Sequence, residues 1–329
     1  MLAAWYEAKG AARDVLRYGE LPDPVPAPGE VRVLVRASGV NPTDVKARMG
    51  RPGSTALEFS RVVPHHDGAG VVDRVGEGVS QRRIGERVWI YEAQWKRRFG
   101  TAAQYVTVPE EQAVPLPDGT DFAAGACLGI AAITAHHCLF GDGPIGGRSV
   151  LVQGAAGAVG YYAAQLARLA GARVIATVGS PAQERLLREA GITELIDRKD
   201  EAVGERVLRM TSGGGVDRIV EVALGVNLDA DLEALATGGT IAAYASDGDP
   251  GRPLPFRQLL WKNASIRFVL VYLVSPEAHR HAVRDLTAHL SAGALRHSIA
   301  RRLPLSAIVE AHQAMEAGHL NGKLILDVP

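Results

Sequence analysis

The stretch from Val150 to Gly171 constrains the fold of this 329-residue chain more than any other. It begins as a short apolar run, continues as the small-residue segment QGAAGAVG, and then places apolar side chains at helical spacing. A buried strand, a tight turn and a helix in this order are typical of a dinucleotide site, where a pyrophosphate approaches backbone N–H groups at a helix N-terminus. The floor of this cofactor pocket is expected to consist of Ala156, Gly157, Ala158, Val159 and Gly160.

The turn departs from the G-x-G-x-x-G fingerprint in one position. Ala155 stands where the first glycine would be if Gly157 and Gly160 are the other two. Taken alone, the match also fits a glycine-rich turn in an ordinary α/β protein. The strands and helices that follow it favour the cofactor site, in which a bulky side chain at Gly157 or Ala158 would block the pyrophosphate.

Length, charge and cysteine content exclude several classes of protein. A chain of 329 residues is long for one hydrophobic core, so two domains are expected. Lys plus Arg and Asp plus Glu number 36 each, so no net charge attracts nucleic acid or a membrane surface. The N-terminus carries Glu7 and Lys9 where a signal peptide would be apolar, and no apolar run approaches the roughly 20 residues of a membrane span, which predicts a cytoplasmic protein. Only Cys127 and Cys138 are present, which excludes a disulfide scaffold and a four-cysteine zinc lobe.

Residues 1 to about 120 predict an all-β domain. Short alternating or β-branched runs, punctuated by proline and glycine, occur at 31–35, 70–75, 86–90 and 105–108. This spacing is typical of a partly open barrel. The apolar run at 322–326 predicts a last strand that rejoins this barrel.

From Asp121 the pattern changes to helix, and strands then alternate with helices. This alternation predicts a parallel sheet. The expected strands are 149–154, 173–178, 194–197, 217–222, 239–244 and 266–273. Six parallel strands fit a complete doubly wound dinucleotide fold.

The run 265–274 is apolar on both faces. An exposed edge strand of this kind promotes association unless it is paired. We therefore expect strand 265–273 to pair with its copy across a two-fold axis in a homodimer, and such dimers could pair into a tetramer. The alternative is that the helix predicted at 277–292 covers the strand.

Short motifs occur along the chain in a fixed order: ASGVNPTD at 37–44, HDGAGVV at 66–72, LGI at 128–130, the glycine turn, and the glycine motifs at 238–239 and 322–323. This series resembles the medium-chain dehydrogenase/reductase superfamily, and within it the zinc-independent quinone reductases related to ζ-crystallin. The resemblance covers nearly the whole chain. It implies a six-stranded doubly wound parallel sheet, the Rossmann fold, with a GroES-like β-barrel domain. The barrel domain is expected at 1–122, completed by 274–329, and the NADPH-binding domain at 123–273.

The resemblance makes zinc the question that separates the branches of the superfamily. Zinc alcohol dehydrogenases have a cysteine where Asn41 stands and a His-Glu pair where His66 and Asp67 stand, with a further cysteine near Cys127. One imidazole and one thiol are too few for the three protein ligands of a catalytic zinc. We expect no metal, the alternative being a site assembled from Asp44, His66 and Cys127. Without zinc the substrate must already accept hydride readily, as quinones and α,β-unsaturated carbonyl compounds do.

The residues after the second strand of the parallel sheet favour NADPH over NADH. An NAD site holds the ribose 2′-OH with Asp or Glu at the end of this strand. Here the strand is followed by Gly179 and Ser180, and the first acid is Glu184, so no carboxylate repels a 2′-phosphate. Ser180 can donate a hydrogen bond, while Arg185 and Arg198 can supply charge. The alternatives are a solvated helix face for Arg185 and a loop for Arg198, which the family uses as a phosphate-facing position.

The resemblance also assigns residues near the nicotinamide and the substrate. No residue is assigned a catalytic role, and the candidates for the substrate cleft between the domains are Asn41, Asp44 and Lys46. The Asn41 amide is expected to bind the nicotinamide ribose or the substrate carbonyl, although an Asn-Pro turn also explains it. Asp44 is expected to stabilise its loop or pair with a cation, and Lys46 or Arg48 to bind an anionic substrate group unless they are surface cations. Further positions on the nicotinamide side are Thr134, Tyr244, Ser246, Val271 and Lys323.

Together these observations predict an NADPH-dependent, zinc-free oxidoreductase that transfers hydride to a quinone or an activated alkene. The chemistry is expected to depend on proximity and exclusion of water. Some quinone reductases carry tyrosines just after the first motif, whereas this chain has VKARMG at 45–50. An enoyl reductase acting on a thioester or a conjugated ketone is therefore the alternative enzyme. The non-enzymatic alternative is a crystallin-like NADPH-binding protein.

Overall fold

The computed structural model describes residues 1–50, 56–246, 253–318 and 320–329. Its contacts divide the chain into two units, of which the first comprises Met1–Ile130 and Val283–Pro329 and the second comprises Ala131–Ala282. The first unit begins with β1 Leu2–Trp5, α1 Ala12–Val15, β2 Arg17–Glu20, β3 Glu30–Val40, α2 Pro42–Met49, β4 Asp67–Val75, β5 Arg87–Ile90, β6 Tyr105–Pro109, β7 Ala113–Pro115, α3 Phe122–Gly125 and α4 Gly129–Phe140, the last of which continues into the second unit.

The second unit alternates strands with helices. It contains β8 Ser149–Val152, α5 Ala158–Leu169, β9 Arg173–Val178, α6 Pro181–Glu189, β10 Glu194–Asp197, α7 Val203–Met210, β11 Val216–Glu221, α8 Leu224–Ala234, β12 Leu235–Ala243, α9 Phe256–Trp261, β13 Ser265–Phe268 and the first part of α10 Pro276–Ser291. The chain then completes the first unit with β14 Ile299–Pro304, α11 Ile308–Ala317 and β15 Lys323–Asp327.

The first unit is built on one large sheet. Among the described residues its strand order is β14-β15-β3-β4-β5-β7, and β6 also pairs with β3. The central strand β3 follows the predicted alternation, since Val31, Val33 and Val35 are fully buried and pack into the apolar core of this unit. The last strand, β15, pairs antiparallel with β3, so the apolar run near the C-terminus does rejoin the sheet.

The second unit contains a doubly wound parallel sheet. Its strand order among the described residues is β10-β9-β8-β11-β12-β13, and every neighbouring pair is parallel. The order reverses at β8, which lies between β9 and β11. In such sheets a crevice opens at this point beyond the carboxyl ends of the strands, and ligands bind there. The six predicted strands and their parallel arrangement are confirmed.

The last strand of the parallel sheet is shorter than predicted. β13 pairs with β12 over Ser265–Phe268, and Val271–Leu273 form a 3-10 turn instead of continuing the strand to residue 273. The reason is that β12 ends at Ala243, whose carbonyl accepts one further hydrogen bond, from the Val269 N–H at 2.8 Å. Beyond that point no strand among the described residues lies beside the apolar run.

No helix in the described part of the chain has both the length and the apolar character needed to cross a membrane.

Candidate functional site

The turn after β8 provides an anion site at the start of α5. Gly157 is the N-cap of this 12-residue helix and no side chain caps it, so the first backbone N–H groups of α5 are not satisfied by a side chain. An ideal Cβ at Gly157 would meet only the Gly154 carbonyl oxygen, at 3.2 Å, and otherwise open space. Free N–H groups, a helix dipole and this open approach fit a pyrophosphate.

The other two glycines shape the turn itself. Gly154 has φ +62°, a conformation that favours glycine, and a Cβ at Gly160 would lie 2.5 Å from the Gly154 carbonyl oxygen and 2.8 Å from Ala155 Cα. Ala155 still stands at the first glycine position of the fingerprint, counted from Gly157 and Gly160. Gly154 adopts the left-handed conformation one position earlier, and Ala155 needs no special geometry.

The segments after β9 and β10 lie beside each other. A Cβ at Gly179 would approach the Arg198 guanidinium to 3.1 Å, so the Arg198 side chain lies over the Gly179 backbone. Ser180 caps α6, and its hydroxyl oxygen accepts from the Gln183 N–H at 3.4 Å, which leaves the hydroxyl hydrogen available to donate. Arg198 is exposed, and no carboxylate pairs with it in the described ranges. Arg185 is on the exposed face of α6.

A cavity of about 810 Å³ opens in the second unit next to the ends of β12 and β13. Tyr244 and Ser246, which follow β12, belong to its wall. The Ser246 hydroxyl accepts from the Gly225 N–H at 3.0 Å, and the Tyr244 N–H donates to the Glu221 carbonyl at 3.1 Å. The cavity is large enough for part of a nucleotide. Val271 and Thr134 are buried and are not in the cavity wall among the described residues.

In the first unit, three polar side chains form a buried cluster at the meeting of β3, β4 and β15. The Lys323 ammonium group donates to Asn41 Oδ1 at 2.5 Å and to Asp67 Oδ2 at 2.6 Å, and the Asn41 amide donates to the same Asp67 oxygen at 2.9 Å. Asp67 Oδ1 accepts from the Ile130 N–H at 2.9 Å. Lys323 therefore balances the charge of Asp67 inside the protein. The predicted contacts of Asn41 and Lys323 with a nicotinamide stay predictions.

Asp44 and His66 lie next to this cluster. Asp44 Oδ2 accepts from the Asn41 N–H at 2.7 Å and so stabilises the start of α2, and its Oδ1 lies 3.9 Å from His66 Nε2. Burial raises the pKa of Asp44 to about 8, opposed by the hydrogen bond from Asn41 and assisted by the charge of Asp67. Burial also lowers the pKa of His66 to about 4. Near neutral pH the carboxyl group thus carries the proton and the imidazole is neutral.

The raised pKa of Asp44 makes the stability of the protein depend on pH. Between pH 3.8 and about 8, Asp44 keeps its proton in the folded state and has lost it in the unfolded state. Protonation of Asp44 therefore stabilises the folded protein fully below pH 3.8, and this contribution to the free energy of unfolding is lost as the pH rises through about 8. Asp44→Asn cannot ionise and still accepts from Asn41. We expect its free energy of unfolding, measured by urea unfolding, to fall less over this range than that of the wild type. The control is Asp118→Asn, a substitution at an exposed position. If the free energy of unfolding changes with pH equally in Asp44→Asn and in the wild type, the pKa of Asp44 is not raised in the folded protein.

The basic residues of α2 do not form an anion site together. Lys46 is exposed. Arg48 is fully buried, pairs with the Glu316 carboxylate, and donates from Nε to His312 Nδ1 at 3.3 Å. The prediction that Arg48 binds an anionic substrate group is therefore wrong, because Glu316 already neutralises its charge in the interior of the first unit.

The donors that the sequence offered for zinc do not fit the ion. The Cys127 thiol donates to the Ala123 carbonyl at 3.2 Å, and burial raises the pKa of Cys127 to about 12, so the thiolate that binds metals is disfavoured. In the described part of the chain, no three ligand atoms close enough to hold a metal ion include Asp44, His66 or Cys127. Asp44, His66 and Cys127 therefore do not supply the three ligands of a catalytic zinc; the described residues whose ligand atoms do lie within 4.8 Å of one another are His136, His281 and Asp285.

Sequence reasoning missed two sets of buried charges. One is the partnership of Asp67 with Lys323, which are far apart in the chain. The other is the pair of Glu221 and Asp231, both fully buried in the second unit. Glu221 ends the apolar strand β11 at the ligand-binding edge of the sheet, and an acid in that position is a signal that could have revealed it.

Two family models match this chain. Residues 27–118 match the alcohol dehydrogenase GroES-like domain, and residues 158–289 match the zinc-binding dehydrogenase family. Human quinone oxidoreductase is 30% identical over 92% of this chain and 90% of its own length.

Solved structures resemble the whole chain. An NAD-dependent alcohol dehydrogenase, 30% identical, superposes with a TM-score of 0.91 and full coverage of both chains. A mycobacterial protein complexed with NADPH, 27% identical, superposes with a TM-score of 0.87 over 99% of this chain and 100% of its own.

Proposed function

The chain belongs to the quinone oxidoreductase family, and on that premise we propose that it binds NADPH and reduces a quinone or another activated unsaturated carbonyl compound without zinc. The observation that carries the proposal is the position of the Arg198 guanidinium over Gly179, the residue that follows β9. The first acidic residue after β9 is Glu184, so no carboxylate directly follows this strand. Of the two nicotinamide cofactors, only NADPH has a 2′-phosphate for this cation to bind.

The binding residues divide along the carboxyl edge of the parallel sheet. The start of α5 at Gly157 binds the pyrophosphate, and Ser180 with Arg198 binds the 2′-phosphate. The cavity beside Tyr244 and Ser246 receives the rest of the nucleotide. The mycobacterial relative complexed with NADPH supports this choice of cofactor, whereas the NAD-dependent alcohol dehydrogenase requires that it be tested against NADH.

Two observations support the proposal that catalysis needs no zinc: the chemistry of the donors expected from the sequence and the chemistry of the acceptor. The buried Cys127 thiol and the neutral Asp44 carboxyl are poor ligands, and Lys323 already neutralises Asp67. When bound, NADPH supplies a hydride. The developing negative charge on a quinone or enone is delocalised onto oxygen, so a hydrogen-bond donor or water suffices to stabilise it. In the first unit, the groups that we propose for this hydrogen bond are the second amide hydrogen of Asn41 and the ammonium group of Lys323.

NADPH oxidation, compared with NADH oxidation, across quinones, enones and enoyl thioesters tests this function. We expect NADPH to be the preferred donor, quinones or enones to be the acceptors, and turnover to persist after treatment with a chelator. Efficient turnover only with enoyl thioesters would support the enoyl reductase. Binding of NADPH with no turnover of any acceptor would support the crystallin-like protein. A requirement for added zinc would contradict the proposal.

We also propose that two copies associate through the edge of the parallel sheet. Among the described residues β13 pairs with β12 alone. Apolar side chains on β13 and in the residues after it are exposed: Phe268 is 76% exposed and Leu273 is 69% exposed. Burial of such side chains against a second copy would remove this apolar surface from water. Because β13 ends at Phe268, the strand that could pair with a second copy is Ser265–Phe268 rather than the whole segment 265–273.

Phe268→Lys is expected to shift the protein from dimer to monomer at micromolar concentrations, because a charge at this position would be desolvated in the interface. Analytical ultracentrifugation measures the change. The control is Val25→Lys, since Val25 is equally exposed, at 72%, but lies in the first unit. A wild-type protein that sediments as a monomer, or a variant that stays dimeric, would contradict the proposed interface.

A further inference from the structure

A pair of buried carboxyl groups lies behind the turn that follows β8. Glu221 is the last residue of β11 and Asp231 lies in α8, and both are fully buried. The two carboxyl groups are close enough for the charge of Glu221 to raise the pKa of Asp231, after burial, which has the larger effect. In the described residues no N–H or hydroxyl group donates to Glu221 Oε2 or to Asp231 Oδ2. One proton shared between the two carboxyl groups would give both of these oxygen atoms a partner and leave a single buried charge instead of two.

The other contacts of the pair identify the carboxyl group that carries this proton. Glu221 Oε1 accepts from the Ala223 N–H, at the start of α8, and from Asn227 Nδ2 at 3.0 Å. Within the ranges that the structure describes, the one donor to Asp231 is Gln153 Nε2, at 2.9 Å. Burial, followed by the charge of Glu221, raises the pKa of Asp231 to about 9. Asp231 therefore holds the proton and donates it to Glu221, whose charge is stabilised by two donors and the helix dipole.

A chain of directed hydrogen bonds joins Asp231 to the turn. The Gly154 N–H donates to Thr177 Oγ1 at 2.9 Å, and the Thr177 hydroxyl donates to Gln153 Oε1 at 3.0 Å. The Gln153 amide nitrogen then donates to Asp231 Oδ1. Each hydrogen bond fixes the direction of the next, because a hydroxyl that accepts from Gly154 donates its own hydrogen to Gln153. The acceptor oxygen of Asp231 is therefore needed to complete the chain.

Packing also connects the pair to the same turn. Val222, which follows Glu221, lies so close that a Cβ at Gly154 would be 3.0 Å from its Cγ1. The Gln153 N–H donates to the Val220 carbonyl at 3.0 Å. The left-handed residue Gly154 is thus held through its N–H group by Thr177 and on its open side by the segment that carries Glu221. This arrangement fixes the position of the first N–H groups of α5.

We propose that Glu221 and Asp231, sharing one proton, are positioning residues that hold the Gly154 turn in the conformation that binds the pyrophosphate of a dinucleotide. The inference rests on the proposed function, since it concerns the phosphate end of the NADPH site. Neither side chain touches the cofactor in this account. Both act through Gln153 and Thr177, which transmit the position of the pair to the turn.

Amide substitutions separate this role from simple packing. In Asp231→Asn, the side-chain oxygen still accepts from Gln153 and the amide nitrogen donates to Glu221 where the proton did. In Glu221→Gln, the amide nitrogen donates to Asp231, which then ionises. Each single variant keeps one negative charge and the same pattern of hydrogen bonds. The double variant has no charge, and it places two amide N–H donors against each other.

Calorimetric titration of the full-length variants with NADPH measures the consequence. We expect each single variant to bind within about 3-fold of the wild type, and the double variant to bind about 10-fold more weakly or worse, as expected for one lost buried hydrogen bond. Asp231→Ala, which removes the acceptor of Gln153, is expected to weaken binding and to raise KM for NADPH while kcat changes little. Asp229→Asn, at an exposed position of the same helix, is the control and should bind as the wild type does.

Infrared spectroscopy tests the shared proton without relying on the double variant. The difference spectrum of wild type against Asp231→Asn at neutral pH should contain the carbonyl stretch of a protonated carboxyl group. Absence of that band would overturn the inference. A double variant that binds NADPH as well as the wild type would also overturn it, while leaving the proposed function intact. If the wild type binds no NADPH, the proposed function fails. The carbonyl stretch then still shows whether Glu221 and Asp231 share a proton.

Discussion

Replacement of Gly157 by leucine is expected to weaken NADPH binding by about 100-fold or more, equivalent to the loss of two charge-assisted hydrogen bonds. Gly157 has φ −74°, which any residue adopts, and its Cβ would meet only the Gly154 carbonyl oxygen at 3.2 Å. The fold should therefore accept the side chain. The leucine would extend into the space from which a pyrophosphate approaches the start of α5. Calorimetric titration with NADPH measures the loss.

Two further substitutions show whether the loss arises at the phosphate site. Gly119→Leu, at an exposed position with no neighbour within 4 Å, should bind NADPH normally. Gly160→Ala should lower the free energy of unfolding, because even its Cβ would lie 2.5 Å from the Gly154 carbonyl oxygen. If Gly157→Leu binds NADPH with wild-type affinity, the pyrophosphate does not lie on this turn.

Replacement of Arg198 by alanine is expected to remove the preference for NADPH. The change deletes the guanidinium that lies over Gly179, and one charge-assisted hydrogen bond to a 2′-phosphate corresponds to about a 10- to 100-fold loss of affinity. NADH has no 2′-phosphate, so its affinity should stay the same. The ratio of the two dissociation constants, measured by titration of each cofactor, reports the effect.

Arg185→Ala is the matched control for Arg198→Ala. It removes the same type of side chain from the exposed face of α6, whereas the guanidinium that lies over Gly179 is that of Arg198. We expect Arg185→Ala to bind both cofactors as the wild type does. A larger loss of NADPH affinity in Arg185→Ala than in Arg198→Ala would move the phosphate site to α6. Equal losses of NADPH and NADH affinity in Arg198→Ala would show that Arg198 does not contact a 2′-phosphate.

The elements of the fold were predictable because each has its own periodicity. The alternation in β3 and the apolar runs of the parallel strands report burial directly. The end of β13 was not predictable, because it depends on where the neighbouring strand β12 ends. Likewise, the spacing of the glycines does not show which residue adopts positive φ. The backbone geometry assigns that conformation to Gly154 and leaves Ala155 ordinary.

The residues of the candidate site were predictable to different degrees. The positions after the strands, such as Gly157 and Arg198, follow from the rule that parallel sheets bind ligands at their carboxyl edge. Side-chain partners from distant parts of the chain leave no local pattern. Lys323 pairs with Asp67 and Arg48 pairs with Glu316, each across more than 250 residues. Only the folded chain reveals these ion pairs.

In the proposed complex, NADPH lies along the carboxyl edge of the parallel sheet, with its pyrophosphate on the turn at Gly154 and its 2′-phosphate at Arg198. A crystal structure of the NADPH complex tests it most directly. We expect pyrophosphate oxygens within hydrogen-bond distance of the backbone N–H groups that begin α5, and a 2′-phosphate within the same distance of the Arg198 guanidinium. A cofactor bound elsewhere, or a 2′-phosphate that faces solvent away from Arg198, would show that NADPH does not bind in this way.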